Sequence, residues 1–134
     1  MATSRIEYLG GLRTKCTHLK SGTEILTDAP TDNHGKGEAF SPTDLVATAY
    51  ASCMISIIGI HCNENNIEMV GGTAEVTKEM SSGPRRIERL TIYLDFSMNN
   101  WNEEIKERVI RVAEACPVAK SVSEMMIVDI EYTF

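Results

Sequence analysis

From Arg5 to Asp28 the chain alternates short β-favouring stretches with two pairs suited to tight turns, Gly10-Gly11 and Ser21-Gly22. This pattern predicts three antiparallel strands joined by hairpins. Residues 29 to 41 carry Pro30, Asp32, Asn33, Gly35 and Gly37 without apolar periodicity, and they read as a loop. Ser41 then supplies a helix N-cap, Pro42 fits the first helical position, and Asp44 stands where a capping-box acid faces exposed N–H groups. The predicted helix runs to about Asn63, where Asn-Glu-Asn-Asn ends the apolar pattern. Two long strands follow, Glu68 to Glu79 and Arg86 to Phe96, joined by Ser-Ser-Gly-Pro at residues 81–84, with Gly71-Gly72 marking a bulge or an early turn. Asn100 is positioned to cap a second helix, in which Trp101, Ile105, Val109, Val112 and Cys116 recur at helical spacing. Pro117 stops that helix and opens a short one to Glu124, and Met125 to Phe134 closes the chain as a strand. The order is βββ-α-ββ-α-α-β, an α+β class with antiparallel sheets around a long central helix.

A length of 134 residues predicts a single domain spanning 1–134. Hydrophobic residues at 43% and charged residues at 24% are those of a globular protein, and a net charge of −6 gives no basic surface for nucleic acid. The run from Leu45 to Asn63 contains no charged side chain, yet Thr48, Ser52, Ser56, Gly59 and His61 interrupt it. It therefore fits a buried helix better than a membrane span of ~20 apolar residues. The first residues lack the charged-then-apolar pattern of a signal peptide, so the expectation is a cytoplasmic protein.

Four cysteines, Cys16, Cys53, Cys62 and Cys116, occur without CxxC spacing. In a reducing compartment they form no permanent disulfide framework, and each is by default a small core hydrophobe. Cys16, on a strand, reads as structural. Cys62 follows His61, but adjacent helical residues diverge by ~100° and no second ligand pair has zinc-site spacing, so no metal site is expected. Cys53 sits in the least polar part of the chain, where its reactivity requires a nearby cation. Cys62 is nine residues further on, about 180° around an ideal helix, and does not meet Cys53. Cys116 precedes a proline-initiated helix whose free N–H groups favour a thiolate, which makes it the expected partner of Cys53.

Phe40-Ser-Pro-Thr-Asp-Leu-Val-Ala-Thr-Ala-Tyr-Ala-Ser-Cys53 resembles the proline-led helix of the OsmC/Ohr family, the osmotically induced and organic hydroperoxide resistance proteins. Cys116-Pro-Val-Ala-Lys-Ser is similar to that family's second cysteine motif, and the element order also fits. The resemblance implies an intertwined α+β homodimer and a thiol-dependent peroxidase acting on organic hydroperoxides without metal or organic cofactor. Cys53 would attack the peroxide and become a sulfenic acid, Cys116 would condense with it to a disulfide, and an external dithiol or lipoyl group would reset the pair. Gly10-Gly11-Leu12-Arg13 matches the family stretch carrying a thiolate-stabilising arginine, which assigns that role to Arg13. Without the resemblance Arg13 is a solvated strand residue. Where the family's hydroperoxide reductases have a glutamate after the helix-start proline, this chain has Thr43. Asp44, one residue later, is turned by ~100° and is accounted for by capping; Glu38 is the nearest other acid.

Tyr50, Met54, Ile57 and Ile60 either line an apolar pocket for an alkyl peroxide or belong to the core. Two further readings stand beside the peroxidase. One is a non-catalytic module on the same fold that binds a small apolar or thiol-bearing ligand at the dimer interface; the other is an interaction protein assembled through its long helix.

Overall fold

The computed structural model describes residues 1–134, which form two compact units, residues 1–46 and 47–134. In the first, β1 (Ser4–Gly10), β2 (Arg13–His18) and β3 (Glu24–Asp28) make an antiparallel sheet in that order. The expected glycine turns are there, with positive φ at Gly10, Gly11 and Gly22. Pairing aligns Ile6, Cys16 and Ile25 across one face, and Arg13 opposite Asp28 on the other. The segment after β3 makes a single 3-10 turn at Thr31–Asn33 and then folds back tightly. A Cβ on Gly35 would lie 1.7 Å from the Ala29 carbonyl oxygen, so only glycine fits this return. The return carries Glu38 back to the end of β3, where the N–H of Asp28 donates to the Phe40 carbonyl.

Helix α1 (Pro42–Glu64) starts with a reciprocal cap: the Asp44 N–H donates to Ser41 Oγ at 3.1 Å and the Ser41 N–H to Asp44 Oδ2 at 2.9 Å. Its first residues belong to the first unit and the rest to the second. Ala47, Ala51, Met54, Ile58 and Cys62 recur every three or four residues and are buried along one stripe. The helix is long and apolar enough to cross a membrane, but this stripe packs into the core of the second unit.

That unit's sheet contains β4 (Thr73–Ser82), β5 (Arg85–Asp95) and β6 (Ile127–Thr133). Leu90, Ile92 and Leu94 alternate onto one face of β5 and Phe96 follows just beyond it, each at most 1% exposed. The first hairpin is antiparallel as expected, whereas β6 runs parallel to β5. The sheet is therefore mixed rather than antiparallel. The reason lies in the connection: α2 (Glu103–Glu114) and α3 (Pro117–Ser121) return the chain to the starting end of β5, the kind of crossover that parallel strands require.

Local boundaries also shift. β4 begins at Thr73 rather than Glu68, because Gly71 has φ +62° and Gly72 abuts Phe96; a Cβ there would lie 2.5 Å from the ring. The bulge in this hairpin falls at Glu79/Met80 instead. Asn102, not Asn100, caps α2, its side-chain oxygen accepting from the Ile105 N–H at 2.9 Å. Trp101 precedes the helix and donates its indole N–H to the Glu68 carbonyl at 3.0 Å.

Candidate functional site

The second unit brings Cys53 and Cys116 together. Cys53 lies beside the buried stripe of α1 and is half-buried; Cys116, at the break between α2 and α3, is fully buried. Pro117 at the first position of α3 makes Cys116 the N-cap, and the Ala119 N–H donates to its Sγ at 3.4 Å. All four cysteines are free thiols. Cys53 is near enough to Cys116 to influence its titration.

The helix-start N–H groups favour a Cys116 thiolate, as the sequence suggests, but they do not prevail. Burial pushes the thiol's pKa up, the Ala119 N–H opposes this, and the contact with Cys53 reinforces the rise. Cys116 thus holds its proton more firmly than an ordinary thiol. Cys62 occupies the buried stripe with Met54 and Ile58, apart from this pair; burial raises its pKa against the opposing influence of Arg108.

Two tyrosines and an acid surround the sulfurs. Tyr50, one turn before Cys53, is nearly buried, and its pKa is raised by burial and then by Cys116, Glu114 and Cys53. Tyr132 on β6 is raised strongly by burial and then by Glu114. Its hydroxyl is buried and closes no hydrogen bond of good geometry, although Glu114 is near enough to act on it. Sequence reasoning missed Tyr132 and Glu114. Glu114 stands two residues before Cys116, but only the parallel placement of β6 brings Tyr132 to it. Of the other pocket candidates, Met54 is core, Ile57 packs against the core, and Ile60 is half-exposed.

Arg13 belongs to the first unit, where two acids hold it. Its Nη2 donates to Glu38 Oε2 at 2.5 Å and lies 3.5 Å from Asp28 Oδ2. Asp28 is buried, and the Glu38 N–H donates to its Oδ2 at 3.0 Å. That backbone bond, followed by Arg13, holds the Asp28 carboxyl below its ordinary pKa despite burial. Glu38 is therefore a partner of Arg13 and not merely a solvated loop acid. Asp28 was not singled out from the sequence, yet the Ser21-Gly22 hairpin contains the signal: pairing Thr17 with Glu24 necessarily pairs Arg13 with Asp28. Thr43 lies against the Ser41 hydroxyl at 3.3 Å, and Asp44 caps α1. Cys16 lines an apolar hollow of about 310 Å³ with Ile6, Ile25 and Leu45, and its sulfur is 3.8 Å from Thr14 Oγ1.

The OsmC-like protein family model matches residues 35–131. A crystal structure from Psychrobacter arcticus 273-4, named only provisionally as an osmotic stress induced and detoxification response protein, is 46% identical. It superposes with a TM-score of 0.93, covering 98% of this chain and 96% of that one. The organic hydroperoxide resistance protein OsmC of Legionella pneumophila has the same fold at 20% identity, with a TM-score of 0.74 over 100% and 98% of the two chains. The organic hydroperoxide resistance protein OhrB of Bacillus subtilis also shares it, at 19% identity and a TM-score of 0.69 over 98% of each chain. No curated protein sequence matches the chain.

Proposed function

Because the chain belongs to the OsmC-like protein family, we propose that it is a thiol-dependent peroxidase for organic hydroperoxides, with Cys53 as the attacking thiol and Cys116 as the resolving one. The Cys53 thiolate attacks the distal peroxide oxygen; the O–O bond breaks, the alkoxide takes a proton to leave as alcohol, and Cys53 becomes a sulfenic acid. Cys116 then attacks that sulfur, water leaves, and a disulfide forms. An external dithiol or lipoyl group restores both thiols by exchange.

The observation that carries this reading is the nearness of Cys53 to a fully buried Cys116, whose thiol burial pushes up in pKa. A resolving thiol should be protonated while the peroxide is attacked and adjacent when the sulfenic acid appears. Arg13 is the thiolate-stabilising residue in this reading, since a guanidinium keeps its charge and its orientation is fixed by Glu38 and Asp28. The protein acts as a cytoplasmic homodimer, without metal or organic cofactor. The test is peroxide consumption in a dithiol-fed assay: Cys53→Ser abolishes it, and an unchanged rate would remove the enzyme reading.

A further inference from the structure

Leu12, the residue before Arg13, sits in a backbone conformation that leucine rarely adopts. Gly10 pairs with Arg13, so Gly11 and Leu12 form a two-residue hairpin loop, and their φ angles are +61° and +65°. Loops with positive φ at both central residues take Gly, Asn or Asp there, because in the left-handed region Cβ crowds the following carbonyl oxygen. Leucine is out of place at the second of these positions. Its side chain is half-exposed, so burial does not account for it.

Two hydrogen bonds hold Leu12 from opposite sides. Its N–H donates to the Tyr8 hydroxyl at 3.2 Å, and its carbonyl accepts the Ala29 N–H at 3.2 Å. The Ala29 carbonyl in turn accepts the Gly37 N–H at 3.2 Å. Arg13 follows Leu12, Asp28 precedes Ala29 and Glu38 follows Gly37, so these bonds tie together the backbone that carries the arginine and both of its acids. The Ala29 bonds join main chain to main chain and do not depend on a particular side chain. Tyr8 supplies the side chain of the clamp, and its ring is 68% exposed, so it adds little burial of its own.

We propose that Tyr8 is a positioning residue for Arg13. A strained residue persists only where its surroundings over-determine it, and such residues cluster at functional sites. With the Tyr8 bond in place Leu12 stays left-handed, and β2 starts in the direction that brings the Arg13 guanidinium to Glu38 and Asp28. Without it Leu12 relaxes to negative φ, and the start of β2 turns the guanidinium away. The inference rests on the peroxidase reading for its effect on turnover, whereas the hold on the guanidinium is measurable without it.

Wild type, Tyr8→Phe and the double variant Tyr8→Phe/Leu12→Asn are compared, with Arg13→Ala identifying the Arg13 signals. Asparagine adopts the left-handed conformation far more readily than leucine, so the double variant has no need of the clamp. Side-chain nitrogen NMR reads whether the guanidinium is held, since hindered rotation keeps its Nη signals apart, and steady-state kinetics with cumene hydroperoxide separates kcat from KM. The Arg13 signals should be resolved in wild type, averaged in Tyr8→Phe and resolved again in the double variant. In the same order kcat should fall about tenfold and recover, with KM changing less than about twofold. Arg13 signals that are alike in wild type and Tyr8→Phe, or a loss that Leu12→Asn does not restore, overturn the proposal, as does an unchanged kcat in Tyr8→Phe. If wild type consumes no hydroperoxide while the NMR pattern is as expected, the peroxidase reading falls and the hold of Tyr8 on Arg13 stands.

Discussion

Arg13 and Glu38 are joined by a 2.5 Å charge-assisted hydrogen bond between the first residue of β2 and the loop that precedes α1. Asp28, opposite Arg13 in the sheet, is 3.5 Å from the same nitrogen. The acid that holds Arg13 here comes from the loop, while the residue after the helix-start proline is Thr43. Arg13→Ala should lower peroxidase turnover by on the order of 10²-fold, as expected for loss of a positioned cation at developing charge. Glu38→Gln should lower it less, because Asp28 still holds the guanidinium, and since Glu38 is more than half exposed it should cost at most about 1 kcal/mol of stability. Steady-state kinetics and denaturant unfolding of the two variants check both expectations.

Asp28 carries a pH signature of its own. Its carboxyl titrates below the ordinary value in the folded protein, because the Glu38 N–H and Arg13 favour its charged form. The unfolded chain therefore binds the proton first as pH falls. The stabilisation is fully present above the unfolded value and is lost as pH drops through the lower folded value. Compared by urea unfolding, wild type should exceed Asp28→Asn by a constant margin above about pH 5, and the margin should shrink in more acid solution. A margin that widens on acidification would reverse the assigned shift.

Thiol accessibility follows the geometry. Cys116 and Cys62 are buried with pKa values pushed up, whereas Cys53 and Cys16 are half-buried. Iodoacetamide at neutral pH, followed by peptide mapping, should label Cys53 before Cys116 and Cys16 before Cys62. Raising the pH should increase labelling of Cys116 and Cys62, since their thiols deprotonate at higher pH than usual.

The core of the second unit gives a prediction independent of thiol chemistry. Met54 is completely buried on α1 among Ile58 and the apolar face of β5. Met54→Ala should destabilise by about 2–5 kcal/mol in chemical denaturation, the cost of lost burial plus the cavity left behind.

What the sequence disclosed depended on whether the information was local. The capping box at Ser41 and Asp44, the Gly10-Gly11 turn and the role of Pro117 in opening α3 each involve residues a few positions apart, and they appear in the structure as read. The direction of β6 is set by a crossover, so alternation alone could not distinguish a parallel partner from an antiparallel one. That Cys116 comes near Cys53 was legible because helix geometry separated Cys62 from Cys53 and a family motif flagged Cys116. The protonation of Cys116 was not, because burial, which depends on the whole second unit, outweighs the N–H groups that the local sequence supplies. Tyr132 escaped notice for the same reason: 82 residues separate it from Tyr50, and nothing in Ile-Glu-Tyr-Thr marks a buried hydroxyl whose pKa Glu114 helps to raise.

The central claim is that Cys53 and Cys116 are one redox unit. Its most direct test is non-reducing mass spectrometry of the wild-type protein after one equivalent of cumene hydroperoxide. A Cys53–Cys116 linked peptide, absent before oxidation and abolished by dithiol, is the predicted result. Thiols that remain unmodified, or a Cys53 that stops at sulfenic acid with Cys116 still free, would contradict it.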